Sequence, residues 1–176
     1  MPTSAVTRSN IVFGAHSYFA YAPYVAAKAA GTFVDAGGTE KGVGITQKTT
    51  YHEVILDQNL GAVSMFPTKR EMEIDMVFGE ATMANLQAVL GLPTGALVTG
   101  VLKWNPSAPE IYYQLELISP GIVGKNRTGF FWRCVPTDVT KMEIKKDGEL
   151  LFGTKWKVCE EIDTGSLDNF GKITEA

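Results

Sequence analysis

Residues 68–92, TKREMEIDMVFGEATMANLQAVLGL, contain a change of period that decides the fold class. From residue 69 to residue 78 apolar and charged residues alternate, which is typical of a strand with one buried and one solvated face. From Glu80 the apolar residues recur at helical spacing, and Gly91 can end the helix in the left-handed conformation. A strand that runs directly into a helix predicts a sheet packed against a helix.

The predicted strand and the predicted helix each contain residues that are candidates for the core or for a functional site. The apolar face of the strand consists of Met72, Ile74, Met76 and Phe78, and its acidic face consists of Glu71, Glu73 and Asp75. The predicted core stripe of the helix consists of Met83, Leu86 and Leu90, with Val89 beside them. An acidic row is usually the solvated face of a strand, and a carboxylate pair for acid–base catalysis is the alternative interpretation.

The remaining sequence predicts mainly β structure. A hairpin is predicted where Asp147-Gly148 separates two strand-like segments, because this dipeptide suits a two-residue turn. In total we predict about eight strands in a β-sandwich or barrel with one flanking α-helix. The predicted domain covers residues 11–162, between an N-terminal arm at residues 1–10 and a C-terminal arm at residues 163–176.

The segment at residues 58–67, QNLGAVSMFP, is predicted to be an unusually long and apolar loop. Hairpin loops are normally shorter, and long loops are normally polar because they face water. The apolar side chains of this loop are Leu60, Val63, Met65 and Phe66. Either they fold back on the core of their own chain, or they form a contact surface for another chain.

Composition and charge exclude several classes of partner. The net charge is −3 and the pI is about 5.4, so we expect no sequence-independent binding of nucleic acid by bulk charge. No apolar run approaches the roughly 20 residues of a membrane span, and we expect no secretory signal. Cys134 and Cys159 are expected to be buried, reduced thiols; a disulfide or a catalytic thiol is the alternative.

The sequence contains few residues in patterns that support chemistry. His16 and His52 lack Cys or carboxylate companions at the spacing of metal ligands, so we expect no metal site. The glycines around residues 31–44 match no phosphate-binding loop, and there is no G-x-S-x-G motif. The sequence therefore predicts a protein without a cofactor that is not an enzyme.

An ordered set of motifs resembles one protein family. Residues 33–43, FVDAGGTEKGV, have the form F-x-D-x-G-x-T-x-x-G-V, and Asp57-Gln58 follows the next predicted strand. Further motifs are the basic-basic-Glu cluster at residues 69–71, the E-A-T-x-x-N-L helix at residues 80–86, and FFWRCV and KWKV in the C-terminal half. In this order they resemble the major tail tube proteins of long-tailed, non-contractile bacteriophages, over most of residues 33–160.

The resemblance implies a structural virion protein that self-assembles in the host cytoplasm. In this family six copies form a ring, neighbouring sheets join into an inner β-barrel, and the stacked rings conduct DNA to the host during genome ejection. Expected partners are further copies of the chain and the tape measure, tail terminator and distal tail proteins, with no membrane partner. The loop at residues 58–67 is expected to contact an adjacent ring or subunit.

The resemblance also suggests a role for the acidic row. Glu71, Glu73 and Asp75, with Glu53 and Asp57 as further candidates, are expected to line the lumen, where negative charge repels the phosphates of passing DNA. One alternative function is a related hexameric ring of a contractile tail or secretion tube, or a tail-completion protein. Another is a small β-barrel that binds a ligand or catalyses a reaction, which would require polar groups converging in an apolar pocket.

Overall fold

The computed structural model describes residues 18–55, 62–80, 82–104, 111–120, 125–143, 151–161 and 169–175. The strands are β1 (Tyr18–Pro23), β2 (Val34–Asp35), β3 (Thr39–Ile55), β4 (Ala62–Phe78), β5 (Leu97–Val98), β6 (Val101–Leu102), β7 (Tyr113–Pro120), β8 (Asn126–Glu143), β9 (Leu151–Val158) and β10 (Gly171–Glu175). The helix α1 is Met83–Val89, and a 3-10 turn follows at Thr94–Ala96. Across the described ranges, no helix has the length and apolar character needed to cross a membrane.

Eight of the strands form one antiparallel sheet. Its order is β2-β1-β7-β8-β9-β4-β3, with β10 paired to β8 outside this path. The strands β5 and β6 form a separate two-stranded hairpin. This mainly β architecture, flanked by α1, confirms the predicted fold class.

The sheet curls until its two edges approach each other. The edge strands β2 and β3 are joined by residues 36–38 alone, so Asp35 and Thr39 lie within about 14 Å of each other. Phe19 of β1 also packs edge-on against Phe78 of β4, with ring centroids 5.6 Å apart, although three strands separate β1 from β4 in the sheet. The curled sheet therefore encloses a core on its concave face.

Aromatic and aliphatic side chains fill this concave face. The alternation predicted for residues 69–78 is confirmed, because Ile74, Met76 and Phe78 are buried and Met72 packs against them. The other large side chains of the core are Phe19, Tyr21, Val89, Tyr113, Leu115, Leu117, Phe131, Phe152, Trp156 and Val158. Because β1, β4, β7, β8, β9 and α1 all contribute to one cluster, the concave face holds one continuous core.

The buried face of α1 differs from the predicted stripe. Met83 is 39% exposed, and Leu86 and Leu90 are only half-buried. The helix side chains that are fully buried are Asn85, Ala88 and Val89. The prediction is therefore confirmed for Val89 and wrong for Met83, Leu86 and Leu90 as core-facing residues.

The polar side chain of Asn85 explains this difference. Its Nδ2 donates to the carbonyl oxygens of Ala36 at 2.8 Å and Glu80 at 3.0 Å, and its Oδ1 accepts from the Tyr21 hydroxyl at 3.2 Å. A buried amide is costly only when it lacks hydrogen-bond partners. Because Asn85 finds its partners inside the protein, the helix is oriented with this residue inward.

The C-terminal end of α1 agrees with the sequence prediction, and its N-terminal end does not. The Thr82 hydroxyl accepts a 3.1 Å hydrogen bond from the backbone N–H of Asn85, so the helix begins at Met83. Glu80 therefore precedes the helix, whereas the sequence pattern places it in the first helical turn. Gly91 follows the helix with a φ of 62°, which confirms its predicted role at the helix end.

The predicted C-terminal arm, residues 163–176, is partly a strand. Within it, β10 pairs antiparallel with residues 127–131 of β8. The backbone at Gly171 approaches Phe130 so closely that a Cβ atom at this position would collide with the Phe130 carbonyl oxygen. The predicted N-terminal arm, residues 1–10, lies outside the described residues.

Neither cysteine forms a disulfide. Cys134 is buried in the core, and Cys159 is half-buried. Burial raises the pKa of the Cys134 thiol well above its ordinary value, and the nearby Cys159 raises it further. Cys134 is therefore held in the protonated, unreactive form.

Candidate assembly surface

The hairpin of β3 and β4 continues beyond the core of the protein. Each strand has 17 residues, but β9 pairs with β4 only along residues 72–78. Residues 62–71 of β4 pair with residues 48–55 of β3, and no described strand lies on their other side. At about 3.4 Å per residue, this extension measures roughly 30 Å. Residues 48–55 and 62–71 together form the arm, which is distinct from the predicted N-terminal and C-terminal arms.

The predicted loop at residues 58–67 overlaps this arm. Because β4 begins at Ala62, residues 62–67 are strand and the prediction of a loop is wrong for them. The strand is not evident from the sequence because apolar and polar residues do not alternate there. Leu60 and the side chain of Val63 lie outside the described residues.

The arm exposes apolar side chains on both of its faces. Phe66, which is 56% exposed, lies opposite His52, and its neighbour Met65 is 52% exposed. Successive residues of a strand point to opposite faces, so Phe66 and Met65 point in opposite directions. Tyr51, 51% exposed and paired with Pro67, shares the face of Met65. These side chains do not fold back on the core, and covering both faces requires partners on two sides.

The acidic row lies on the outer face of β4, as its alternation predicts, but lysines are close to it. The Glu71 carboxylate is 2.7 Å from Lys69 Nζ and 3.2 Å from Lys157 Nζ. Hydrogen bonds from Lys69 and then Lys157 lower the pKa of Glu71. Glu71 is therefore charged and already paired within its own chain.

The other two members of the row also have lysine neighbours. Asp75 Oδ1 is 3.9 Å from Lys155 Nζ, and Glu73 lies opposite Lys157 in the register of β4 and β9. The outer face is therefore close to neutral rather than strongly anionic. Of the further lumen candidates, Glu53 is exposed on the arm, and Asp57 lies outside the described residues.

An apolar groove lies between α1 and the β1–β2 edge of the sheet. Its volume is about 160 Å³, and it is lined by Tyr21, Pro23, Val34, Ala84, Gln87, Ala88 and Tyr113. The Tyr21 hydroxyl donates to Asn85, and the Tyr113 hydroxyl donates to the Leu92 carbonyl at 3.3 Å. Because these hydroxyl groups have partners inside the protein, the two tyrosines present mainly ring carbons to the groove.

Two carboxylates approach Gly37. Asp35 Oδ1 accepts a 2.9 Å hydrogen bond from the Gly37 N–H. The Glu80 carboxylate occupies the space that a side chain at residue 37 would need, and Gly37 has a φ of 78°. Asp35 is the neighbour of the groove residue Val34 and pairs with Ala20, so its side chain points to the opposite face of the sheet from the groove.

The sequence does not reveal the groove or the lysines of the outer face as a site. The residues that line the groove come from β1, β2, α1 and β7, which are distant in sequence. Lys155 and Lys157 belong to β9, about 80 residues after the acidic row that they approach. Among the described residues, no group of three or more His, Cys, Asp or Glu side chains could hold a metal ion.

No protein-family model matches the chain, and no curated protein matches it by sequence. A chain of the anti-feeding prophage baseplate has a similar fold, with a TM-score of 0.47 and 10% identity, covering 100% of this chain and 97% of that chain. A chain of the anti-feeding prophage tube terminating cap has a TM-score of 0.44 and 9% identity, covering 99% of both chains.

A third solved structure is the sheath-tube complex of an extracellular contractile injection system, PVC, in the extended state. One of its chains has a TM-score of 0.43 and 8% identity, covering 99% of both chains. At these low identities and TM-scores, the three similarities establish neither a family nor a function for this chain.

Proposed function

We propose that this chain is a structural subunit of a phage-type tail tube, in which copies form rings and the rings stack. The arm is the observation that carries the proposal, because its exposed apolar side chains lie on two faces and away from the core. Several large apolar side chains exposed on one segment are typical of a contact with another protein. A strand hairpin that extends roughly 30 Å can reach across an interface to a neighbouring subunit.

Unpaired strand edges give the proposal independent support. In the described part of the chain, β3 has no strand on its outer edge, and residues 62–71 of β4 have none on theirs. Exposed edges of this length promote uncontrolled pairing unless another strand covers them. Pairing with neighbouring copies would cover them and close a ring, which is the arrangement that the tail tube resemblance implies. The number of six copies per ring comes from that resemblance.

The arm also accounts for stacking. In this proposal it contacts a surface of the neighbour that differs from the arm itself, which makes the contact heterologous. Heterologous contacts that do not close into a ring generate open filaments. Repeated along one axis, the arm contact would therefore produce a tube.

We propose that the outer face of β4, with Glu71, Glu73 and Asp75, lines the bore. The nearby lysines make this face nearly neutral, so DNA phosphates would meet neither a strong attraction nor a strong repulsion. Double-stranded DNA would then pass through without specific binding. Tape measure, tail terminator and distal tail proteins are the proposed partners at the tube ends, and no catalytic step is proposed.

Negative-stain electron microscopy of the purified protein, together with light scattering over a concentration series, tests this function. We expect six-fold rings or tubes from the wild-type chain. The double variant Met65→Asp, Phe66→Asp should keep a folded subunit and lose tube growth, because charge on both faces of the arm opposes burial. Ile173→Asp is the matched control, since Ile173 is 65% exposed on β10, outside the arm.

Four results would contradict the proposal. A wild-type chain that remains monomeric at high concentration would favour a ligand-binding barrel instead. Tubes formed equally well by the double variant would show that the arm is not the assembly contact. Unfolding of the double variant would show that Met65 and Phe66 support the core. Rings that pair but never elongate would favour the alternative of a tail-completion protein.

A further inference from the structure

The concave side of the β3–β4 hairpin carries an apolar stripe that points away from the proposed bore. On β3, Ile45 lies opposite the buried Ile74 and therefore shares its side of the sheet. Every second residue of β3 from Ile45 onwards lies on this side as well, and so does Met65, which pairs with Glu53. The large apolar side chains of the stripe, each at least 44% exposed, are Ile45, Tyr51, Ile55 and Met65.

The β5–β6 hairpin carries a second exposed apolar surface. Val98 and Val101 lie directly opposite each other and are 48% and 57% exposed. The turn between them is Thr99-Gly100, whose positive φ values of 49° and 77° are typical of a tight two-residue hairpin turn. Trp104, two residues after β6, is 64% exposed. The hairpin therefore presents apolar side chains to solvent on a short, well-defined scaffold.

These two surfaces lie at opposite ends of the subunit and on the same side of β4. The arm contains the start of β4, whereas the end of β4 at Phe78 leads through α1 to β5, which lies beside α1. The 17 residues of β4 span roughly 50 Å. Ala88 and Val89 of α1 pack in the core with Phe78, which places α1 on the concave side of the sheet. A head-to-tail contact between copies therefore brings the apolar stripe of one copy towards the α1 end of the next.

We propose that the β5–β6 hairpin of one copy packs against the apolar stripe of a second copy. This inference rests on the proposed function, because it assigns the surface that the arm meets when rings stack. The contact is heterologous, since the stripe and the hairpin are different surfaces, and it repeats from copy to copy. It leaves the opposite face of β4, with Glu71, available to line the bore.

The charges beside the two surfaces are complementary. Glu53 is exposed within the stripe. On the hairpin, the backbone N–H of Lys103 donates to the Ala96 carbonyl at 2.8 Å, so strand pairing continues and alternation places Lys103 on the side of Val101. The exposed ammonium group of Lys103 can pair with Glu53 where the apolar side chains meet. Arg70, on the same side of the arm, lies four β3 residues from Glu53, or about 13 Å away.

Exchanging charges between the two surfaces tests this assignment. Glu53→Lys alone and Lys103→Glu alone each bring like charges together, and each should raise the critical concentration for tube growth about five-fold. A chain with both substitutions has opposite charges again and should return to within about two-fold of the wild-type value. The matched control combines Glu53→Lys with Lys125→Glu, an exposed position outside the hairpin, and should show no recovery. Light scattering over a concentration series measures each value.

Cysteine cross-linking tests the contact directly. One chain carries Glu53→Cys and Lys103→Cys together with Cys159→Ser, and the native Cys134 is buried. Copper-catalysed air oxidation of assembled tubes should join residue 53 of one copy to residue 103 of the next, which gives a ladder of covalent oligomers under non-reducing conditions. The matched control replaces Lys103→Cys by Ala84→Cys, at an exposed position of α1 beside the groove. Because a disulfide needs Cα atoms within about 7 Å, the control should form at least about five-fold less of the ladder.

The outcomes separate this inference from the proposed function. Circular dichroism first identifies the variants that fold, and the charge exchange decides if a cysteine variant does not. Wild-type tubes combined with no recovery, or with no ladder from a folded cysteine variant, would overturn the hairpin contact and leave the tube subunit intact. A ladder through residue 84 as abundant as that through residue 103 would overturn it as well. If the wild-type chain forms no tubes, the proposed function fails, and the hairpin contact fails with it.

Discussion

The Tyr21 hydroxyl donates a 3.2 Å hydrogen bond to the Asn85 side chain, 64 residues later in the chain. This bond joins β1 to α1 inside the core. Asn85 also donates to the backbone of Ala36, where the chain passes from β2 towards β3. One buried amide therefore connects the helix to β1 and to the segment that joins the two edge strands.

Replacing this amide should cost stability. In Asn85→Ala the Tyr21 hydroxyl and the Ala36 carbonyl lose a buried partner, and we expect the free energy of unfolding to fall by about 2–3 kcal/mol. Urea unfolding followed by circular dichroism measures the change. Asn126→Ala, at an exposed position, should change it by less than about 0.5 kcal/mol. Similar losses in both variants would contradict the role given to Asn85.

A glycine pair provides a matched test of the segment between β2 and β3. Gly37→Ala forces an alanine into the left-handed region against the Glu80 carboxylate, and we expect destabilisation by about 1–2 kcal/mol. Gly38 has open space at its Cβ position, so Gly38→Ala should be neutral or slightly stabilising. Thermal unfolding of the two variants provides the comparison. Equal midpoints would show that the Gly37 backbone is not constrained.

Alkaline pH should destabilise the fold through two buried tyrosines. Burial raises the pKa of Tyr21 and of Tyr113 to about 12, above the ordinary tyrosine value of 10.0. Below pH 10 both are neutral in the folded and unfolded states, so this stability is fully present. Between pH 10 and pH 12 the unfolded state loses protons first, and stability falls by up to about 1.4 kcal/mol per pH unit for each tyrosine.

Urea titrations from pH 9 to pH 11.5 measure this slope. Tyr113→Phe lowers stability at every pH because a hydrogen bond is lost, but it should also make the decline above pH 10 shallower. A decline as steep as that of the wild-type protein would show that Tyr113 does not ionise preferentially in the unfolded state.

Charge reversal on the outer face of β4 tests the proposed bore. Glu71→Lys with Glu73→Lys removes the partners of Lys69 and Lys157 and leaves a strongly positive face. We expect slower genome ejection, and tubes that retain short DNA at low salt and release it at high salt. Glu160→Lys, at an exposed position outside β4, is the control. Genome ejection at the wild-type rate in the double variant would show that this face does not line the bore.

Local sequence patterns were sufficient to predict a strand or helix where one of its faces is buried and the other is exposed. The alternation of residues 69–78 predicted both the strand and its buried face, because period 2 follows directly from backbone geometry. The hairpin around Asp147-Gly148 was also predicted, and β8 and β9 pair up to Glu143 and Leu151 on either side of it. Gly91 ended the helix as expected.

Local sequence patterns did not predict secondary structure or burial where contacts with distant residues determine them. Residues 62–67 have the composition of a loop, yet they pair with β3 and form a strand. Asn85 is polar, as surface residues of helices usually are, yet its hydrogen bonds with Tyr21 and Ala36 hold it in the core.

The sequence by itself determined the fold class, the buried face of β4 and the presence of an apolar segment before it. These depend on periodicity within short windows, which is a local property. Only the tertiary structure decided that this segment is an arm with two apolar faces. It also decided that lysines from β9 offset the acidic row, and that a groove lies beside α1. Each of these requires contacts between residues far apart in sequence, and such contacts exist only once the sheet has curled.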